Sequence, residues 1–209
     1  MPIRTVKPAG DRKKEIIGVA GRLFQTKGYV NTTVEDVIRE SGIAKGTFYY
    51  HFSSKETLLR SVLETRLDNL EQSALQIAGH PEWNAKRKLQ ETLKAIFASG
   101  EADRQKNGAG DYEIDPIIHV RLTQMFRQKM EPSLVRIVEQ GIQEGEFQVP
   151  YPHEVTALLL HGITGYVQDH LSMQGSQSQF HRMMSVIDYV LKSSLQMNNH
   201  PENPPNGPY

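Results

Sequence analysis

Five side chains between positions 45 and 51 share a chemistry suited to nucleic acid. Lys45, Thr47, Tyr49, Tyr50 and His51 can each donate a hydrogen bond, and none is negatively charged at neutral pH. Phe48 and Phe52 are four residues apart, so on a helix they share one face and pack inward together. The expected result is a short helix, dry on one side and lined with donors, without acids, on the other. Such a face fits a major groove walled by phosphates and floored by base edges. The competing reading is an ordinary amphipathic helix with exposed aromatics, and the flanking signals weigh against it.

Those signals come from the elements that must hold this helix in place. Thr33 stands just before the apolar stripe of Val34, Val37 and Ile38, where its hydroxyl can cap a helix start. Gly42 follows the last turn, at the left-handed position that closes a helix. Between Gly42 and Lys45 there is room only for the tight turn of a helix-turn-helix. Upstream, Asp11 is a candidate cap for a helix carrying Ile16, Ile17, Ala20, Leu23 and Phe24 at helical spacing, and Gly28 ends it. Downstream, Ser53 and Glu56 have the spacing of a capping box, opening a helix that runs to about Ala78. Lys55 in its first turn, beside the helix N-terminus, suits a phosphate clamp.

The stretch Gly42-Ile-Ala-Lys-Gly-Thr-Phe-Tyr-Tyr-His-Phe-Ser-Ser-Lys-Glu56 resembles the recognition-helix signature of the TetR family of bacterial transcriptional regulators. The likeness extends upstream through Phe24-Gln-Thr-Lys-Gly28-Tyr29 and Thr32-Thr33-Val-Glu-Asp-Val-Ile38, covering roughly Lys13 to Leu63. It implies an all-α homodimer, with an N-terminal three-helix helix-turn-helix domain and a C-terminal helical ligand-binding and dimerisation domain. One position departs from the pattern: Ala44 stands where the family commonly has Ser or Thr. The loss of a side-chain cap there costs about 0.5–2 kcal/mol of local helix stability.

Composition agrees with this division. The 209 residues carry no net charge, but residues 1–60 hold 11 Lys and Arg against 6 Asp and Glu, a surplus of 5, and the remainder hold 13 against 18, a deficit of 5. The positive surplus lies where phosphate contact is expected, which makes binding salt-dependent. There is no cysteine, hence no disulfide, thiolate nucleophile or thiolate metal site. No apolar run approaches a membrane span and no signal core opens the chain, so a cytoplasmic protein without membrane contact is expected.

Domain expectations follow: an arm and helix-turn-helix domain at 1–54, a ligand-binding and dimerisation domain at 55–197 entered through the connecting fourth helix, and a disordered tail at 198–209. The first ten residues read as a flexible arm, with Arg4 and Lys7 as basic groups. A fifth helix is expected from Trp83 to Ala98, then a loop from Gly100 to Pro116. A sixth follows from Pro116 to Gly145, broken or kinked near Met130 by Pro132. Two further helices, Pro152 to about Ser172 and Ser178 to Leu195, carry broad apolar faces. Gly162 and Gly165 on the first of them would admit a second backbone, so the pair is expected to form a four-helix dimer interface.

No catalytic constellation stands out: no Gly-rich phosphate loop, no nucleophile elbow, no His-Glu-x-x-His pattern. His161 and His170 lie nine positions apart, on opposite sides of one helix, so no metal site, cofactor or enzymatic activity is expected. A small-molecule pocket is expected in the middle helices, with Phe97, Tyr112, His119, Met125, Phe126, Met130 and Tyr166 as candidates. The full reading is a ligand-responsive regulator, a repressor released from a pseudo-palindromic operator by a small apolar or amphipathic effector. Its DNA-contacting set is Thr33, Lys45, Gly46, Thr47, Tyr49, Tyr50, His51 and Lys55. Lys45, Thr47 and Tyr50 are the base readers; Thr33, Tyr49, His51 and Lys55 hold phosphates. The alternative is a DNA-binding regulator without a small-molecule effector, controlled by a protein partner or by abundance.

Overall fold

The computed structural model describes residues 9–107, 116–171 and 177–196. The basic arm with Arg4 and Lys7, the pocket candidate Tyr112 and the C-terminal tail lie outside them. The described residues form eight α-helices and no strand: α1 (Ala9–Lys27), α2 (Val34–Ser41), α3 (Lys45–His51), α4 (Lys55–Ala78), α5 (Ala85–Asn107), α6 (Pro116–Gln143), α7 (Pro152–Leu171) and α8 (Gln177–Ser194).

The helix-turn-helix unit is built by local rules. Thr33 caps α2: its Oγ1 accepts from the Asp36 N–H, and Asp36 Oδ2 accepts from the Thr33 N–H. Gly42 closes α2 at φ 62°, a conformation that costs glycine nothing and most other residues a clash with Cβ. Phe48 and Phe52 turn inward beside Ile16, Phe24, Val37 and Leu58, forming the first apolar core with α1, α2 and the opening turns of α4. Phe48 is fully buried, which fixes the rotation of α3 and leaves its other side facing outward.

Ala44, at the N-cap of α3, makes no side-chain cap. Its backbone is extended, as an N-cap requires, so Ala44→Ser is expected to raise stability by about 0.5–2 kcal/mol. A thermal melt of the variant beside the parent checks this; no increase would mean that water already serves the free amides.

Several boundaries differ from expectation. Helix α1 begins at Ala9, so Asp11 lies in its first turn, complementing the helix dipole instead of capping it. The box opening α4 is Ser54 with Thr57, not Ser53 with Glu56: Ser54 Oγ accepts from the Thr57 N–H, and Thr57 Oγ1 accepts from the Ser54 N–H. Helix α5 starts two residues later than Trp83 and continues through Gly100 to Asn107. The residues after Gly100 are good helix formers, enough to carry a single glycine costing about 1 kcal/mol. Trp83 stacks instead on His80, ring centres 4.0 Å apart, with Arg87 4.4 Å above it.

Helix α6 runs unbroken through Pro132. Proline within a helix costs about 3 kcal/mol, but here Met130, Ser133, Leu134, Ile137 and Val138 are all buried. Packing on α4, α5 and α7 holds the segment helical despite the missing N–H.

A second core joins the end of α4 with α5, α6, α7, Phe147 and Leu195; a third sits under Met183, Ile187 and Leu191 of α8. Long-range polar contacts tie this part together. Glu144 and Glu146 accept from the Ala85 and Lys86 N–H groups at the start of α5. Buried Lys88 donates to the Ala78 carbonyl at 2.9 Å, satisfying an end group of α4, and to Gln140 Oε1 at 2.7 Å.

Candidate nucleic-acid interface

Helix α3 presents Lys45, Gly46, Tyr49 and Tyr50 outward, with Thr47 and His51 half-buried at the edges. Tyr50 is 78% exposed and Tyr49 48%, a large solvent share for aromatic groups. The two tyrosines are steered by neighbours and not by burial. Tyr49 stands edge-on to Phe48, and Tyr50 edge-on to the His51 ring at 4.9 Å. A Cβ at Gly46 would meet nothing within 4 Å, so the backbone there is open to an approaching surface.

The remaining candidates, Thr33 and Lys55, stand at the starts of α2 and α4. Thr33 is exposed at the α2 N-terminus, where its hydroxyl oxygen caps the helix. Lys55 is half-buried: its ammonium lies 4.2 Å above the Tyr29 ring and 3.4 Å from the Val30 carbonyl. Burial lowers its pKa from the ordinary lysine value. The charge is thus held in place at the helix start instead of swinging free.

Two neighbours were not visible from the α3 pattern alone. Glu35 on α2 stands 3.7 Å from Lys45, both exposed. An exposed pair of this kind is worth little and exchanges readily for a phosphate. Lys13 on α1 lies 5.8 Å from the Phe52 ring, adding a cation beside the end of α3.

Asp36 anchors the frame beneath. It receives Lys27 Nζ from the end of α1 and the Arg39 guanidinium, each at 2.5 Å, besides the Thr33 amide. The Lys27 hydrogen bond, then those from Thr33 and Arg39, hold its carboxyl far below the ordinary aspartate range. A depressed folded-state pKa contributes stability above the unfolded-state value and loses it as pH falls through the folded one. Thermal stability is therefore expected to drop below about pH 4. Asp36→Asn should melt lower than the parent at pH 7 and show less of this acid-side decline. Parallel melting curves across pH test this, and identical pH profiles would contradict it.

A cavity of about 440 Å³ lies in the C-terminal part, walled by α4 to α8. Of the pocket candidates, Phe97, His119 and Phe126 line it. Met130 does not: it is fully buried in the second core. Met125 and Tyr166 are also absent from the lining, Tyr166 packing against the third core. Arg66 on α4, with Leu63, Leu67 and Leu70, forms a wall that the sequence reading missed. The signal was a guanidinium set within an apolar helical stripe.

Among the described residues no three His, Asp or Glu side chains come together as a metal site, and no helix is long and apolar enough to cross a membrane.

Comparison with known proteins places this geometry. Residues 16–62 match the family described as bacterial regulatory proteins, tetR family. The chain is 27% identical to the uncharacterised HTH-type transcriptional regulator YfiR of Bacillus subtilis, covering 88% of this chain and 92% of that protein. It is 27% identical to the HTH-type transcriptional repressor KstR2 of Rhodococcus jostii, over 69% of this chain and 74% of the relative. A solved transcriptional regulator from Cytophaga hutchinsonii shares the fold, with a TM-score of 0.72, 21% identity, and coverage of 88% of this chain and 96% of that one. These relatives are regulators, not enzymes. Over residues 16–62 the chain belongs to the TetR family of DNA-binding transcriptional regulators.

Proposed function

We propose that the protein is a cytoplasmic homodimeric repressor, released from a pseudo-palindromic operator by a small apolar or amphipathic effector. The observation that carries this reading is the outward face of α3: donors without an acid, over a buried Phe48 that holds the helix in one rotation. Lys45, Thr47 and Tyr50 read bases, and Gly46 lets the backbone approach. Thr33, Tyr49, His51 and Lys55 hold phosphates. Residues 1–54 form the DNA-binding part and 55–197 the regulatory part, with α4 contributing to the cores of both.

Dimerisation uses the outer faces of α7 and α8. Leu158 is 73% exposed and Tyr189 71%. A Cβ at Gly162 or Gly165 would meet nothing within 4 Å, so α7 offers a smooth stripe to a second backbone. The cavity is the effector site, and α4, which lines it and runs into the reading domain, is the lever. A ~100-fold loss of operator affinity on effector binding requires about 2.7 kcal/mol of coupling between the two sites.

Titrating operator DNA at several salt concentrations tests the phosphate assignments. Lys55→Ala is expected to weaken binding to all sequences alike and to reduce the salt slope by about 1. An unchanged affinity and slope would remove Lys55 from the interface.

A further inference from the structure

This inference rests on the reading of Lys55 as a phosphate contact and names the residue that places it. The loop between α1 and α2 is a braced turn. Gly28 opens it in the left-handed region, at φ 85°, its N–H donating to the Phe24 carbonyl. Thr32 is fully buried; its hydroxyl donates to the Gly28 carbonyl at 2.6 Å and its N–H to the Tyr29 carbonyl at 3.2 Å. Tyr29 is 8% exposed, and its ring stands edge-on to Phe24 with ring centres 5.2 Å apart. The first core and the backbone of its own turn therefore set the place of this ring.

From that place one side chain holds both charged groups at the start of α4. The Lys55 ammonium lies 4.2 Å above the centre of the Tyr29 ring and donates at 3.4 Å to the Val30 carbonyl of the same loop. The Tyr29 hydroxyl donates to the Glu56 carboxylate; burial first, then this carboxylate, raises the pKa of the hydroxyl. The pKa of Glu56 is lowered, first by a hydrogen bond from Ser54 and in smaller part by the one from Tyr29. A lysine at an exposed helix start samples many rotamers, and fixing such a side chain on binding costs affinity. The quadrupole of the ring attracts the cation to its face, so much of that ordering is complete before DNA arrives. An ammonium has three N–H donors, so Lys55 can keep the ring and the Val30 carbonyl and still meet a phosphate oxygen.

We propose that Tyr29 is a positioning residue for operator binding. Its ring face presets the Lys55 ammonium for a backbone phosphate, and the α1–α2 loop contributes to affinity through a buried side chain.

The test titrates an operator selected from random duplex DNA against the full chain at several salt concentrations. Tyr29→Leu keeps an apolar side chain in the core but removes the ring face. It is expected to weaken binding roughly 2- to 10-fold for each Lys55 engaged. The salt slope should match that of the parent, because the charge is still present. Tyr29→Phe keeps the face and should bind within about two-fold of the parent. In a Lys55→Ala background Tyr29→Leu should cost nothing further, whereas a merely structural loss would persist there. Parent-like binding by Tyr29→Leu, an equal loss in both backgrounds, or an equal loss in Tyr29→Phe overturns the proposal. If Lys55→Ala itself leaves affinity and slope unchanged, the phosphate reading has failed and the proposal falls with it. If Lys55→Ala weakens binding while Tyr29→Leu is silent, the proposal alone fails. Should Tyr29→Leu not fold, magnetic resonance of the free parent with isotope-labelled lysine decides. The ring is expected to shift one lysine ε-methylene signal upfield, a signal missing from Lys55→Ala, and the absence of any such signal in the parent overturns the proposal.

Discussion

Phe48→Ala is expected to lower stability by about 3–5 kcal/mol and to abolish operator binding. Phe48 is fully buried at the centre of the first core, where α1, α2, α3 and α4 meet. Truncation removes the ring's apolar burial and leaves a cavity that a four-helix contact cannot close by shifting one side chain. A domain's whole stability is about 5–15 kcal/mol, so a loss of this size unfolds much of the reading unit at growth temperature. Helix α3 suffers first, because with seven residues and no side-chain N-cap it has little stability of its own. Thermal denaturation followed by circular dichroism measures the effect. A melting temperature equal to that of the parent would show that α3 is not held by Phe48.

Tyr50→Ala should have the opposite signature. Its ring is largely in solvent and stands edge-on to the neighbouring His51 ring, so folding loses almost nothing. Operator affinity, by contrast, is expected to fall by about 1–3 kcal/mol, roughly 10- to 100-fold, with relaxed preference at the bases it faces. Binding isotherms on the selected operator and on a scrambled duplex separate the two contributions. A uniform loss on both would move Tyr50 from base reading to backbone contact, and no loss on either would take it out of the interface. The pair of substitutions, two positions apart in sequence, thus splits one short helix into a structural side and a reading side.

The parts legible in the sequence are those set by local chemistry. Thr33 and Gly42 announce the ends of α2 because capping depends on a few adjacent residues, and the Phe48–Phe52 spacing gives the rotation of α3. Where two local solutions compete, the sequence is ambiguous: Ser53 and Ser54 each have a partner three residues on, and only backbone geometry selects Ser54 with Thr57. Tertiary context overrides local signals elsewhere. Pro132 predicts a break, but the buried residues around it hold α6 together. The pocket was the hardest to read. Methionines and aromatics suit a cavity wall and a core equally well, and Met130 went to the core while Phe126, four residues earlier, lines the cavity. That choice depends on the register of several helices, which no single stripe of sequence contains.

The central claim is that the outward face of α3, presented twice by a dimer, reads duplex DNA. Selection of bound fragments from random duplex DNA by the full-length protein tests it most directly. The account predicts enrichment of a pseudo-palindrome whose half-sites lie about one helical turn apart or slightly more, with the enrichment lost when Lys45, Thr47 and Tyr50 are all replaced by alanine. A pool that stays unenriched, or an enriched sequence that the triple variant binds equally well, would contradict it.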